Sequence, residues 1–72
     1  MKQESIITGE EIEISIRNGA TFYETMQEII RESVKTWKPP KNKVKRLKEI
    51  RIIEKYAKKY GLQRELKEMD IL

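Results

Sequence analysis

The 72-residue chain contains no cysteine and no histidine, and Asp70 is its sole aspartate. Without thiols or imidazoles there is no disulfide framework, no thiolate or imidazole metal site, and no Ser-His or Cys-His catalytic pair. Long apolar runs are also missing. No stretch exceeds two consecutive hydrophobic residues, against the ~20 needed to span a bilayer. The opening Met1-Lys2-Gln3-Glu4-Ser5 leads into only two apolar residues, too few for a signal-peptide core. The expectation is a cytoplasmic protein with no membrane partner.

Charge is abundant. Charged residues make up 39% of the chain, against a norm of ~25%. At this length a domain buries only ~60% of the surface its unfolded chain exposes. The reading is therefore one small domain over residues 1–72, whose surface electrostatics say more than its chemistry. The net charge of +4 hides an asymmetry. Residues 1–34 carry seven Glu against Lys2, Arg17 and Arg31, whereas residues 35–72 carry thirteen basic side chains against five acidic ones. A basic half of this kind points to nucleic acid or an acidic surface as partner.

Periodicity gives an α+β fold: a short N-terminal β-strand or hairpin, two amphipathic helices and a short C-terminal helix. Ile12, Ile14 and Ile16 alternate with Glu11, Glu13, Ser15 and Arg17, the pattern of a strand with one buried face. Gly9 suits a tight turn pairing residues 3–7 with 11–16, so the strand or hairpin spans 3–17. Thr21 and Glu24 form a capping box for a helix over 21–37. On it Phe22, Met26, Ile29, Ile30, Val34 and Trp37 share one face. Pro39 and Pro40 end it. A second helix runs over 43–60, with Asn42 as N-cap and Gly61 as left-handed stop. Ile50, Ile53, Tyr56, Ala57 and Tyr60 line its apolar side, and Glu49 points toward that side too. Leu62, Leu66 and Met69 mark a short helix over 62–70. Small scaffolds often gain core by association, so a homodimer is expected.

The second helix carries the strongest functional signal. At 100° per residue, Lys48, Arg51, Lys55, Lys58 and Lys59 project within about 100° of arc, opposite the apolar side, with Lys45 flanking them and Glu54 at the border. Arg51/Lys55 and Lys55/Lys59 are like charges at i, i+4, an arrangement that destabilises a helix by a few tenths of a kcal/mol per pair. Lys38, Lys41, Lys43, Lys45 and Arg46 crowd the helix start, where the macrodipole favours acidic residues. Cations at a helix N-terminus attract anions, phosphate above all. The candidate nucleic-acid-binding residues are thus Lys38, Lys41, Lys43, Lys45, Lys48, Arg51, Lys55, Lys58 and Lys59. Trp37 can stack on a base, but its angular position favours a place in the core.

Three family resemblances bear on this. Over residues 11–60 the order strand, helix, helix is similar to ribbon-helix-helix repressors, which would imply a dimeric ribbon in the major groove. The outward residues Glu11, Glu13 and Ser15 oppose that role, because carboxylates there meet phosphates. Over residues 56–72, Ala57-x-x-x-Gly61-Leu62 resembles the turn of a helix-turn-helix, which would make 63–70 the recognition helix; Leu66 stands one position out of register. Residues 4–30 resemble the hairpin-then-helix start of a β-grasp domain, without its later strands. None of the three assigns a family.

Chemistry offers less. A nucleophile and base would have to come from Lys, Tyr, Ser and Glu, and no such cluster is suitably spaced, so no catalytic residue and no enzyme is expected. Glu10, Glu11 and Glu13 can in principle hold a hard cation, but adjacent strand residues face opposite ways, and a solvated face is the simpler reading. Neither metal nor cofactor is expected. The sequence therefore reads as a non-enzymatic nucleic-acid-binding protein, for double-stranded DNA rather than RNA, acting in transcription regulation or an accessory role. The alternative is a protein-protein interaction module (an inhibitor, adaptor or antitoxin-like partner) working through the acidic strand or a helix surface.

Overall fold

A computed structural model describes residues 1–71. The helix-turn-helix resemblance over 56–72 therefore reaches one residue beyond the described chain. The fold is α+β: an antiparallel hairpin of β1 (Lys2–Glu4) and β2 (Glu11–Glu13), followed by α1 (Phe22–Thr36), α2 (Lys43–Lys59) and α3 (Gln63–Glu68).

The hairpin is shorter than the alternation suggests. Lys2 pairs with Glu13, Gln3 with Ile12 and Glu4 with Glu11, so Ile6 and Ile7 lie outside the ladder. The buried Ser5 is the cause. Its Oγ accepts the N–H groups of Ile7 at 3.2 Å and Thr8 at 3.3 Å. Gly9 N–H donates to the Ser5 carbonyl at 3.0 Å, and Gly9 takes φ +76° to close the turn. A hydroxyl that offers the backbone these local bonds competes with the sheet and wins here. Ile7 is thereby delivered to the helical core instead of a sheet face.

α1 begins with the expected capping box. Thr21 Oγ1 accepts from Glu24 N–H at 3.1 Å, and Glu24 accepts from Thr21 N–H at 3.2 Å. That bond from the Thr21 backbone, with help from the Thr21 hydroxyl and Arg17, holds the Glu24 carboxyl below its ordinary 4.5. Ile29, Ile30, Ser33 and Val34 are buried. Phe22 is 76% exposed, contrary to its place on the apolar stripe. The helical period gives it the right angle, but the helix it would meet has already ended. There Tyr23 packs against Tyr60, the rings tilted by 51° with centroids 5.4 Å apart.

α2 runs back along α1. Gln27 donates to the Tyr60 carbonyl at one end, and Trp37 Nε1 donates to Glu49 at the other. Asn42 caps α2 through Lys45 N–H at 3.0 Å. Its end has Schellman geometry: Gly61 takes φ +68°, Leu62 N–H bonds the Ala57 carbonyl at 2.8 Å, and both side chains are buried. A Cβ on Gly61 would lie 3.1 Å from the Tyr23 hydroxyl. The main core joins Ile7, Ile30, Val34, Ile53, Ala57, Tyr60, Leu62 and Leu66. A second cluster of Ile12, Ile14 and Ile29 lies under the hairpin, and Ile6 and Met26 touch both. Tyr56 and Ile50 are only half-buried, and Met69 is 44% exposed, beyond α3's last turn. No described helix is long and apolar enough to cross a membrane.

Candidate nucleic-acid interface

The two acidic residues of α2 have different fates, and this shapes its surface. Glu49 is 8% exposed. Its Oε1 accepts the Trp37 indole N–H at 3.1 Å, and its Oε2 has no hydrogen-bond partner among the described residues. The bond draws the tryptophan onto α2 and uses the indole N–H internally, while the ring packs against the main core. Trp37 is therefore a wall of the core at the end of α1. With Glu49 buried, Glu54 is the sole exposed acid on α2, among eight basic residues.

All nine candidate cations are exposed. Lys48, Arg51, Lys55, Lys58 and Lys59 fall on one face of α2, with Lys45 on its flank. Lys43, the first helical residue, projects toward the Ile50 side and is separated from this stripe. Lys38 and Lys41 lie in the connection between α1 and α2, and no acid occupies α2's first turn. None of the nine makes an ion pair among the described residues. Lys59 Nζ stands 5.7 Å over the Tyr60 ring. Two apolar side chains interrupt the start of this surface: Val44 is 71% exposed and Leu47 48%.

Two grooves flank the basic face. On one side α3 lies beside α2, and between them runs an open groove of about 800 Å³. Its walls are Arg51, Lys55, Lys58 and Glu54 from α2, with Arg64 and Lys67 from α3; Gln63 completes it. On the other side the 5–10 turn approaches α2 and encloses about 440 Å³. There Lys45 and Lys48 are matched by Glu10 and Glu49. The first groove is strongly cationic and the second neutral.

Arg64 and Lys67 escape a reading of α2 alone. Their i, i+3 spacing opposite Leu62 and Leu66 was the available signal, and only the packing of α3 turns them toward α2. That packing is fixed by Leu66, which is fully buried, and by Arg31, whose Nε donates to Glu65 at 2.8 Å. This bond holds the Arg31 guanidinium above its ordinary pKa.

Two glutamates of the acidic hairpin, Glu11 and Glu13, are compensated within it. Glu13 accepts from the amino terminus at 2.8 Å, and Lys2 lies 3.3 Å from Glu11. Among the described residues no group of three or more acidic side chains is placed to hold a metal ion. Set beside known proteins, the chain matches no family model, no curated protein and no solved structure.

Proposed function

We propose that this is a small non-enzymatic nucleic-acid-binding protein, regulatory or accessory in role, that grips the phosphate backbone of double-stranded DNA with the exposed face of α2. One observation carries the reading: the distribution of ion pairs. The described pairs use the amino terminus, Lys2, Arg17, Arg31 and Arg64. The cations of α2 and its entry, Lys38, Lys41, Lys43, Lys45, Lys48, Arg51, Lys55, Lys58 and Lys59, are left to solvent. A row of like charges destabilises its own helix, and a polyanion relieves that repulsion. The choice of DNA follows from shape. An α-helix with side chains is about 10–12 Å across, which fits the ~12 Å major groove of B-DNA and not the deep, narrow major groove of A-form RNA.

The test is titration of a labelled random-sequence duplex at several salt concentrations. Five or six phosphate contacts give a slope of log K against log[salt] of roughly −5, at about −0.9 per contact. Replacing Lys48 and Lys55 with Ala should make the slope shallower by about two and weaken all sequences alike, because phosphate contacts position without specifying. The fold should be unaffected, since both side chains face away from the core. The second reading, a protein-interaction module, draws on exposed Val44 and Leu47 beside the same cations. Absence of duplex binding at low salt favours it and refutes the first.

A further inference from the structure

The groove between α2 and α3 is built from two elements whose charges would repel each other if nothing lay between them. Arg51, Lys55 and Lys58 face Arg64 and Lys67 across it, with Glu54 as the single carboxylate. Arg64 has only a 3.9 Å approach to exposed Glu68, and the other four cations have no ion pair among the described residues. Two cationic walls held together by Leu62, Leu66 and the Arg31–Glu65 bond cost free energy that, among the described residues, Glu54 and Glu68 offset only in part. The opposite groove shows that this is not general to α2: beside the hairpin turn, two carboxylates, exposed Glu10 and buried Glu49, accompany Lys45 and Lys48.

We infer that the α2–α3 groove is the seat of one sugar-phosphate backbone strand, so that α3 supplies part of the nucleic-acid site through Arg64 and Lys67. This rests on the nucleic-acid reading above and adds where on the surface the strand runs. About 800 Å³ is ample for a backbone segment. Its walls present point charges and guanidinium forks suited to phosphate oxygens. Gln63 is the single neutral polar side chain among them, so the seat recognises backbone with little readout of base sequence. The strand enters on the α3 side of the basic face, since the hairpin side offers no net attraction.

Four charge variants of the full chain test this against the same labelled duplex: Arg64→Gln/Lys67→Gln and Glu54→Gln in the groove, Lys2→Gln/Lys35→Gln and Glu11→Gln outside it. The first pair of substitutions should make the salt slope shallower by about two, at 0.9 per lost contact, while the charge-matched Lys2/Lys35 variant leaves the slope near wild type. Glu54→Gln should tighten binding several-fold and Glu11→Gln should not. Circular dichroism and the urea midpoint should match wild type for all four, as the altered side chains are exposed. Wild-type binding with a groove variant indistinguishable from its charge-matched control overturns the seat and leaves the general reading standing. A wild type that does not bind duplex overturns both. Inorganic pyrophosphate at equal phosphate concentration separates polymer from small anion: the inference expects it not to displace the duplex, and stoichiometric displacement would make the groove a small-phosphate site instead.

Discussion

Ser33 is fully buried in the last turn of α1, and its single hydroxyl ties the hairpin region to the helices. Its Oγ donates to the Ile29 carbonyl at 2.6 Å and accepts the Ile6 N–H at 3.1 Å. Substituting Ser33 with Ala removes the acceptor and leaves a half-buried N–H at the start of the 5–10 turn. An unsatisfied group of that kind costs about 1–3 kcal/mol. Two terms limit the loss. Alanine is the better helix former by about 0.5 kcal/mol, and the Ile29 carbonyl keeps its place in the helical ladder. The expected net destabilisation is about 0.5–2.5 kcal/mol, against a total stability of about 4–11 kcal/mol for a chain of this length. Urea denaturation followed by circular dichroism measures it, with an unchanged m-value, and the Tm should fall by about 4–8 °C per kcal/mol. Thr36→Ala is the matched control. Thr36 Oγ1 also bonds a carbonyl of its own helix, that of Glu32 at 2.9 Å, but it is exposed and serves no distant donor. It should stay within about 0.5 kcal/mol of wild type. If Ser33→Ala proves as stable as Thr36→Ala, the Ile6 N–H is satisfied by water and the turn is not anchored through α1.

Two further outcomes test the core and the cap. Ile53 is fully buried at the centre of the main cluster, so Ile53→Ala should cost about 2–5 kcal/mol by urea denaturation; a loss below 1 kcal/mol by the same measure, on the ~1 kcal/mol scale of ordinary substitutions, would mean that α2 does not present this face to α1. Thr21→Ala should cost about 0.5–2 kcal/mol through the lost N-cap. The Glu24 carboxyl lies below its ordinary 4.5 in the fold. Its contribution is therefore present above that value and lost as pH falls through the folded pKa. The stability difference between wild type and Glu24→Gln should accordingly be widest near neutrality and close on the acid side, and a difference independent of pH would refute the capping role.

Local rules settled much of this protein from the sequence. The capping box at Thr21 and Glu24, the Asn42 cap and the Gly61 stop each depend on a few neighbouring residues, and the helices begin and end within a residue or two of where those signals stand. Period-two alternation placed Ile12 and Ile14 inside, and the 3.6 period placed Ile29, Ile53 and Ala57 there. The basic stripe of α2 was legible for the same reason, since angular spacing on one helix needs no knowledge of neighbours. Distant partners decided the rest. Ile6 and Ile7 left the strand because Ser5 captured their turn, and Ser33 on another element held it. Phe22 has the angle of a core residue and no helix opposite to cover it. Trp37 and Glu49, twelve positions apart, were brought together by the reversal of the chain at 37–42, and their bond removed one acid from the α2 surface. Arg64 and Lys67 became part of a cationic groove only because Leu66 and the Arg31–Glu65 bond swing α3 alongside α2. Periodicity along one element states which way a side chain points, and only the packing of elements against one another states what it points at.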